Sequence, residues 1–173
     1  MGSNPINFKG CESKPHAFLH KTMKFIALST HTKKFKEGIE PISLNMADSM
    51  QTMCDKTFNK NDIVIGHSMG ASIALMIAKK TPPKELHLYS PSLIFTETVS
   101  LLDEENLKYF GVKIKEVEPI PKVDCPVFVY VGSNEASTMI DSAKIVAKHL
   151  GSTLEIIPNA NHMSVVNKYL KAV

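Results

Sequence analysis

The sequence predicts an α/β fold, with a predominantly parallel six-stranded sheet and helices on both faces. Short apolar runs alternate with segments of helical periodicity, which is typical of a parallel sheet wrapped by helices. Residues 25–28, 63–65 and 127–131 are almost continuously apolar, as strands are when both faces of a sheet are covered. A length of 173 residues leaves room for one domain, which we expect to span residues 1–173.

The predicted strands are spaced along the whole chain. We assign them to residues 5–8, 24–29, 62–65, 85–89, 127–131 and 153–157. Residues 92–124 interrupt the alternation with a short helical segment and a proline-rich return. The segment is either a short cap insertion, where α/β enzymes place lids, or a plain crossover.

Four predicted helices lie between or after these strands. Met46, Met50, Met53 and Cys54 share one helical face. Residues 71–78 are apolar almost all round, which predicts a buried helix. A stripe from Ile140 to Leu150 predicts a third helix, and a short fourth one covers residues 165–170.

Composition and charge exclude several classes of protein. The net charge of +3 comes from 20 basic and 17 acidic residues scattered along the chain, which argues against a nucleic-acid partner. No run approaches the roughly 20 apolar residues of a membrane-spanning helix, so we expect no membrane span. Cys11, Cys54 and Cys125 are odd in number and lack metal-ligand spacing. They indicate reduced thiols in a cytoplasmic protein without a metal site.

The motif that carries chemistry is Gly66-His67-Ser68-Met69-Gly70, between a predicted strand and the buried helix. A G-x-S-x-G pattern in this context is typical of a nucleophile elbow, whose sharp turn raises a serine hydroxyl above the sheet. Gly66 and Gly70 leave room for the adjacent strand and helix. The Met69 N–H, at a helix N-terminus, would face a developing oxyanion. The motif therefore predicts Ser68 as a nucleophile.

A serine nucleophile needs a general base. For this elbow the chain order is serine, then the acid, then histidine. His162 follows the last predicted strand in a turn-rich loop, at the same sheet edge as Ser68, and is the predicted base. His87 lies inside a strand and His149 near a helix end, and both are interpreted as structural.

The acid and the second oxyanion donor are predicted from loops at the same edge. Glu135 follows the strand at 127–131 and is the predicted acid, with Asp141 as the alternative acid. The loop after residues 5–8 offers the Cys11 backbone N–H as the second donor, assisted by Gly10.

Taken together, these motifs resemble the α/β-hydrolase fold superfamily, in its serine esterase, lipase and thioesterase branch. The elbow at 66–71, the strand and acid loop at 125–135, and Asn161-His162-Met163 appear in the family's order. The resemblance extends from about Ile6 to Leu170 and implies a minimal form that lacks the family's first two strands. Two residues depart from the family pattern: Lys9 replaces a usual histidine, and Glu135 replaces a usual aspartate.

The motifs and the resemblance predict a serine hydrolase that cleaves a small carboxylic ester or thioester through an acyl-serine intermediate. We expect no cofactor. Two alternatives stay open: an acyltransferase with the same three residues, and a non-catalytic binding protein that keeps the fold. Missing first strands would leave a sheet edge bare, and a homodimer is one way to cover it.

Overall fold

The computed structural model describes residues 23–28, 35–44, 50–92, 94–105 and 117–170. Within these ranges six strands form a single sheet, in the order β2-β1-β3-β4-β5-β6. All neighbouring strands are parallel. The strands are β1 (Met23–Leu28), β2 (Ile39–Leu44), β3 (Ile63–His67), β4 (Glu85–Tyr89), β5 (Val127–Gly132) and β6 (Thr153–Ile157). The predicted fold class is confirmed.

One member of the sheet differs from the prediction. β2 was not predicted. Pro41 stands in its middle, and a proline is uncommon in a central strand. Among the described strands, β2 lies at the end of the sheet and pairs only with β1. Prolines within sheets are found mainly on edge strands, where a missing N–H need not break the ladder of hydrogen bonds. The predicted strand at residues 5–8 lies outside the described residues.

Among the described residues, three α-helices cover one face of the sheet: α1 (Met50–Cys54), α2 (Met69–Lys80) and α3 (Ser137–Leu150). Most of α2 is buried, as its apolar sequence predicts, and it packs against β1, β3 and β4. α3 ends at Gly151, which is in the left-handed conformation that terminates many helices. None of the helices in the described ranges is long and apolar enough to cross a membrane.

The opposite face carries a smaller apolar cluster. Phe25, Ile65 and Tyr89 project from the sheet into this cluster. They are covered by Val165 and Val166 of the 3₁₀-helix η2 (Ser164–Tyr169). The chain that follows β6 therefore folds back over the sheet, which fixes the loop between β6 and η2 at the carboxyl edge.

The described parts of residues 92–124 pack into the main core. Phe95 and Ile120 are buried there. The Ile120 N–H donates to the Glu97 carboxylate over 2.9 Å, which joins the two ends of the segment. The 3₁₀-helix η1 (Val99–Leu101) lies between them. The role of this segment as a cap stays a prediction.

Replacing Gly151 by alanine tests the end of α3. Gly151 has φ +63°, and an added Cβ would meet nothing within 4 Å. We expect Gly151→Ala to lower the free energy of unfolding by about 1 kcal/mol through backbone strain alone. Gly151→Asn should lower the free energy of unfolding by less, because asparagine tolerates this conformation better. Chemical denaturation measures both, and a Gly151→Ala variant as stable as the wild type would contradict the assignment.

Candidate active site

Ser68 lies in a sharp turn between β3 and α2. Its backbone has φ 55° and ψ −126°, a strained conformation for a residue with a side chain. The Ser68 N–H donates to the Tyr89 carbonyl over 2.9 Å, and the Ser68 carbonyl accepts from the Ala71 N–H over 3.0 Å. Hydrogen bonds from the neighbouring strand and from the first turn of α2 therefore hold the turn in place.

Gly66 allows this turn because α2 begins directly against β3. A Cβ at Gly66 would lie 2.5 Å from the Ala71 Cα atom and 2.8 Å from the Gly70 carbonyl oxygen. Any side chain there would push the start of the helix away. Gly70 itself is buried in the first turn of α2, and Met69, the predicted oxyanion donor, begins that helix. Its N–H is one of the first-turn groups that have no acceptor within the helix.

Glu135 and His162 form a hydrogen-bonded pair at the same edge of the sheet. The His162 Nδ1 atom lies 2.8 Å from the Glu135 Oε2 atom. A carboxylate can only accept, so Nδ1 carries the proton and Nε2 is left to act as a base. The Glu135 side chain is 1% exposed, whereas that of His162 is 39% exposed.

Two further donors satisfy the other oxygen of the Glu135 carboxylate. The Ser90 hydroxyl and the Gly132 N–H both donate to Oε1, the second over 2.9 Å. Burial by itself raises the pKa of Glu135, but the hydrogen bonds from His162, Ser90 and Gly132 outweigh burial and lower this pKa below its ordinary value. Glu135 is therefore held as a carboxylate beside His162.

Ser90 and Gly132 have roles that sequence reasoning missed. Ser90 directly follows β4, is fully buried and has φ 46°. Gly132 ends β5 at the point where the loop before His162 crosses it. A Cβ there would clash with the Ala160 carbonyl group, whose carbon would be 2.7 Å away. The position of Ser90 just after a predicted strand was the available signal, since that places it at the same edge as Glu135.

Asn161 shapes the loop that carries His162. Its side-chain oxygen accepts from the Met163 N–H over 3.1 Å and from the Ser164 N–H over 2.9 Å. These bonds fix the backbone on either side of His162. The His162 carbonyl oxygen lies 2.7 Å from the Nε2 atom of His67, the residue before Ser68.

Not every predicted site residue joins this group. Asp141 lies on α3, half exposed, and its carboxylate is paired with Lys144 over 2.9 Å. Gly10 and Cys11 lie outside the described residues. Within the described part of the chain, the Ser68 hydroxyl makes no hydrogen bond to the His162 ring. Such contacts often tighten only when substrate binds.

The other two downstream histidines have partners elsewhere. His87 is paired with Glu85 over 3.4 Å, and its Nδ1 atom lies 3.2 Å from the Tyr130 hydroxyl. Burial lowers the pKa of His87, although Glu85 opposes the effect. His149 is paired with Glu97 over 3.6 Å.

The described residues hold no cluster of three or more histidine, cysteine or acidic side chains that could bind a metal ion. The described residues also form a surface cavity of about 720 Å³, lined by residues 122–123, 125–128 and 148–153. This cavity lies where β5 and β6 begin, at the opposite edge of the sheet from Ser68. Cys125 lines it, and burial raises the pKa of its thiol to about 11, so the thiol is a poor nucleophile.

The lowered pKa of Glu135 predicts a pH-dependent stability. The unfolded chain binds a proton at Glu135 near the ordinary pKa of 4.5. The native carboxylate therefore contributes stability above that pH and loses its contribution as pH falls through the lowered native pKa. Glu135→Gln removes this titration. We expect its Tm to be lower at pH 7 and to fall less than that of the wild type between about pH 5 and pH 3. Exposed Glu37→Gln is the control, and parallel curves for Glu135→Gln and wild type would contradict the prediction.

The close contact at Gly132 predicts that one added methyl group at this position breaks the hydrogen bond between the acid Glu135 and the base His162. In Gly132→Ala the Ala160 carbonyl must move, and the loop moves His162 with it. We expect a lower Tm and loss of the downfield NMR signal from the proton between His162 and Glu135. Gly151→Ala is the control for the NMR signal, because its Cβ meets nothing within 4 Å and any loss of stability there comes from backbone strain far from His162. An unchanged downfield signal in Gly132→Ala would show that the loop tolerates the methyl group.

Comparison with known proteins finds solved structures that are similar to this chain. No protein-family model and no curated protein sequence matches the chain. Among solved structures, MGS-MChE2, an α/β-hydrolase enzyme from the metagenome of sediments of the Mar Chica lagoon in Morocco, is similar, with a TM-score of 0.57 and 16% identity over 85% of this chain and 84% of that one.

Two further structures share this fold. A proposed thioesterase from Silicibacter sp. TM1040 has a TM-score of 0.61 and 13% identity over 84% of this chain and 70% of that one. A structure from work on carboxylesterases of the ammonia-oxidizing thaumarchaeon Nitrososphaera gargenis has a TM-score of 0.51 and 14% identity over 86% of this chain and 85% of that one. With its parallel sheet and with Ser68 in a strained turn after β3, the chain has the α/β-hydrolase fold.

Proposed function

We propose that the protein is a serine hydrolase that cleaves a small carboxylic ester or thioester through an acyl-enzyme on Ser68. The observation that carries the proposal is the 2.8 Å pair of Glu135 and His162, at the same sheet edge as the strained turn of Ser68. The similar structures support this reaction class, since they include a proposed thioesterase and one from work on carboxylesterases.

Acylation of Ser68 forms the first half of the proposed reaction. The His162 Nε2 atom takes the hydroxyl proton while the Ser68 oxygen attacks the acyl carbon, and Glu135 stabilises the imidazolium without taking the proton. The tetrahedral intermediate then collapses. His162 returns the proton to the leaving alcohol or thiol, and the acyl group stays on Ser68.

Deacylation repeats the same proton transfers with water. His162 removes a proton from water, the hydroxide attacks the acyl carbon, and the proton passes to the Ser68 oxygen as the carboxylic acid leaves. The His162 side chain is 39% exposed. The exposed side of the ring is open to water, the acyl acceptor that a hydrolase uses.

Two backbone N–H groups would stabilise the oxyanion. The first is that of Met69, at the start of α2, where the helix dipole favours negative charge. The second is predicted from Cys11 and Gly10.

Glu135, not Asp141, is the proposed acid. Glu135 is buried and bound to the His162 ring, whereas Asp141 is engaged by Lys144 on the surface of α3. No cofactor takes part in the proposed mechanism. A cytoplasmic location fits the two described cysteines, Cys54 and Cys125, which are free thiols.

Labelling with a fluorophosphonate probe tests the nucleophile. We expect the wild type to be labelled and to hydrolyse short p-nitrophenyl esters, because His162 activates the Ser68 hydroxyl. Ser68→Ala should lose both properties, and His162→Ala should lose turnover. Exposed Ser100→Ala, on η1, is the matched control and should behave like the wild type. Equal labelling of Ser68→Ala and wild type would reject Ser68 as the nucleophile.

A further inference from the structure

His67 is a buried residue of the elbow that the proposed mechanism does not use. It is the last residue of β3, it directly precedes Ser68, and only 2% of it is exposed. Its Nε2 atom lies 2.7 Å from the carbonyl oxygen of His162. A carbonyl oxygen can only accept a hydrogen bond, so this contact places a proton on His67 Nε2.

The two imidazole rings are also in direct contact. Their centroids are 4.8 Å apart, with 38° between the ring planes. His162 is therefore held from two sides. Glu135 binds its Nδ1 atom, while His67 binds its backbone carbonyl and packs against its ring.

The position of His67 in the chain links this contact to the nucleophile. His67 and Ser68 are consecutive, and the strained backbone of Ser68 is fixed by the Tyr89 carbonyl and by α2. A bond from His67 to the His162 backbone therefore sets the distance between the elbow and the loop of the base. Glu135 does not supply this link, because its hydrogen-bond partners are Ser90, Gly132 and His162, none of which belongs to the elbow.

We propose that His67 is a positioning residue that holds the His162 loop at the correct distance from Ser68. The inference rests on the proposed function, since it assigns His67 to the delivery of the His162 ring to the Ser68 hydroxyl. Small misplacements of a catalytic group reduce the rate of the chemical step far more than they reduce substrate binding. The role requires a donor at the position of His67 Nε2.

A matched pair of amide variants tests this requirement. The side-chain nitrogen of glutamine can reach the position of His67 Nε2, whereas that of asparagine is one bond too short. We expect His67→Asn, and His67→Met without any donor, to lower kcat by about 10- to 100-fold with KM near the wild-type value. His67→Gln should recover most of the lost kcat. Wild-type kcat in His67→Asn and His67→Met, or a His67→Gln variant as slow as His67→Asn, would overturn the proposal.

Amide hydrogen exchange gives a readout that does not depend on activity. We expect faster exchange at Met163 and Ser164 in His67→Asn than in wild type and His67→Gln, with exchange in α2 unchanged. Faster exchange throughout α2 would instead indicate a general loss of packing and would count against a positioning role.

If the wild type shows no Ser68-dependent turnover, the proposed function fails. Equal exchange at Met163 and Ser164 in His67→Asn and wild type would overturn the link itself. If His67→Met does not fold, the glutamine and asparagine pair decides both readouts.

Discussion

The positions of the loops at the carboxyl edge of the sheet depend on the hydrogen bonds to the buried carboxylate of Glu135. A carboxylate that is 1% exposed is tolerated only when hydrogen-bond donors satisfy its oxygens. Here the donors come from three successive loops: Ser90 after β4, Gly132 at the end of β5 and His162 after β6. Parallel strands bring these loops to one edge, and the carboxylate then fixes them relative to one another.

Backbone strain occurs at two equivalent positions on the same edge of the sheet. Ser68 and Ser90 each directly follow a strand, and both have positive φ. The Ser68 N–H donates to the Tyr89 carbonyl of β4, and the Ser90 N–H donates to the Tyr130 carbonyl of β5. Each serine therefore adds one bond to the ladder before the chain turns sharply. Such strain persists only where the surroundings fix the backbone. Here the turn at Ser90 directs its hydroxyl to Glu135, and the turn at Ser68 leaves its hydroxyl at the elbow.

The sequence was informative where a feature depends on neighbours in the chain. The strands at 85–89 and 153–157 and the elbow around Ser68 follow from local patterns, and the order of strand ends selects Glu135 and His162 for one edge. β2 was missed, because a proline in a strand is acceptable only at an edge, and edge position is a property of the sheet. Gly132 and Ser90 were missed for a similar reason. Their contacts depend on how the loops of different strands meet, which no local spacing encodes.

The burial of the acid and the base differs in the way the proposed chemistry requires. Glu135 carries a charge that never leaves it during turnover, so it can be buried and fully hydrogen-bonded. His162 must exchange protons with Ser68, with the leaving group and with water, so its ring needs an open side. The His162 ring is held by Glu135 at Nδ1 and by His67 along one face, yet its side chain remains 39% exposed. The two contacts restrict the ring without occupying Nε2, the atom that takes up and releases a proton in the proposed reaction.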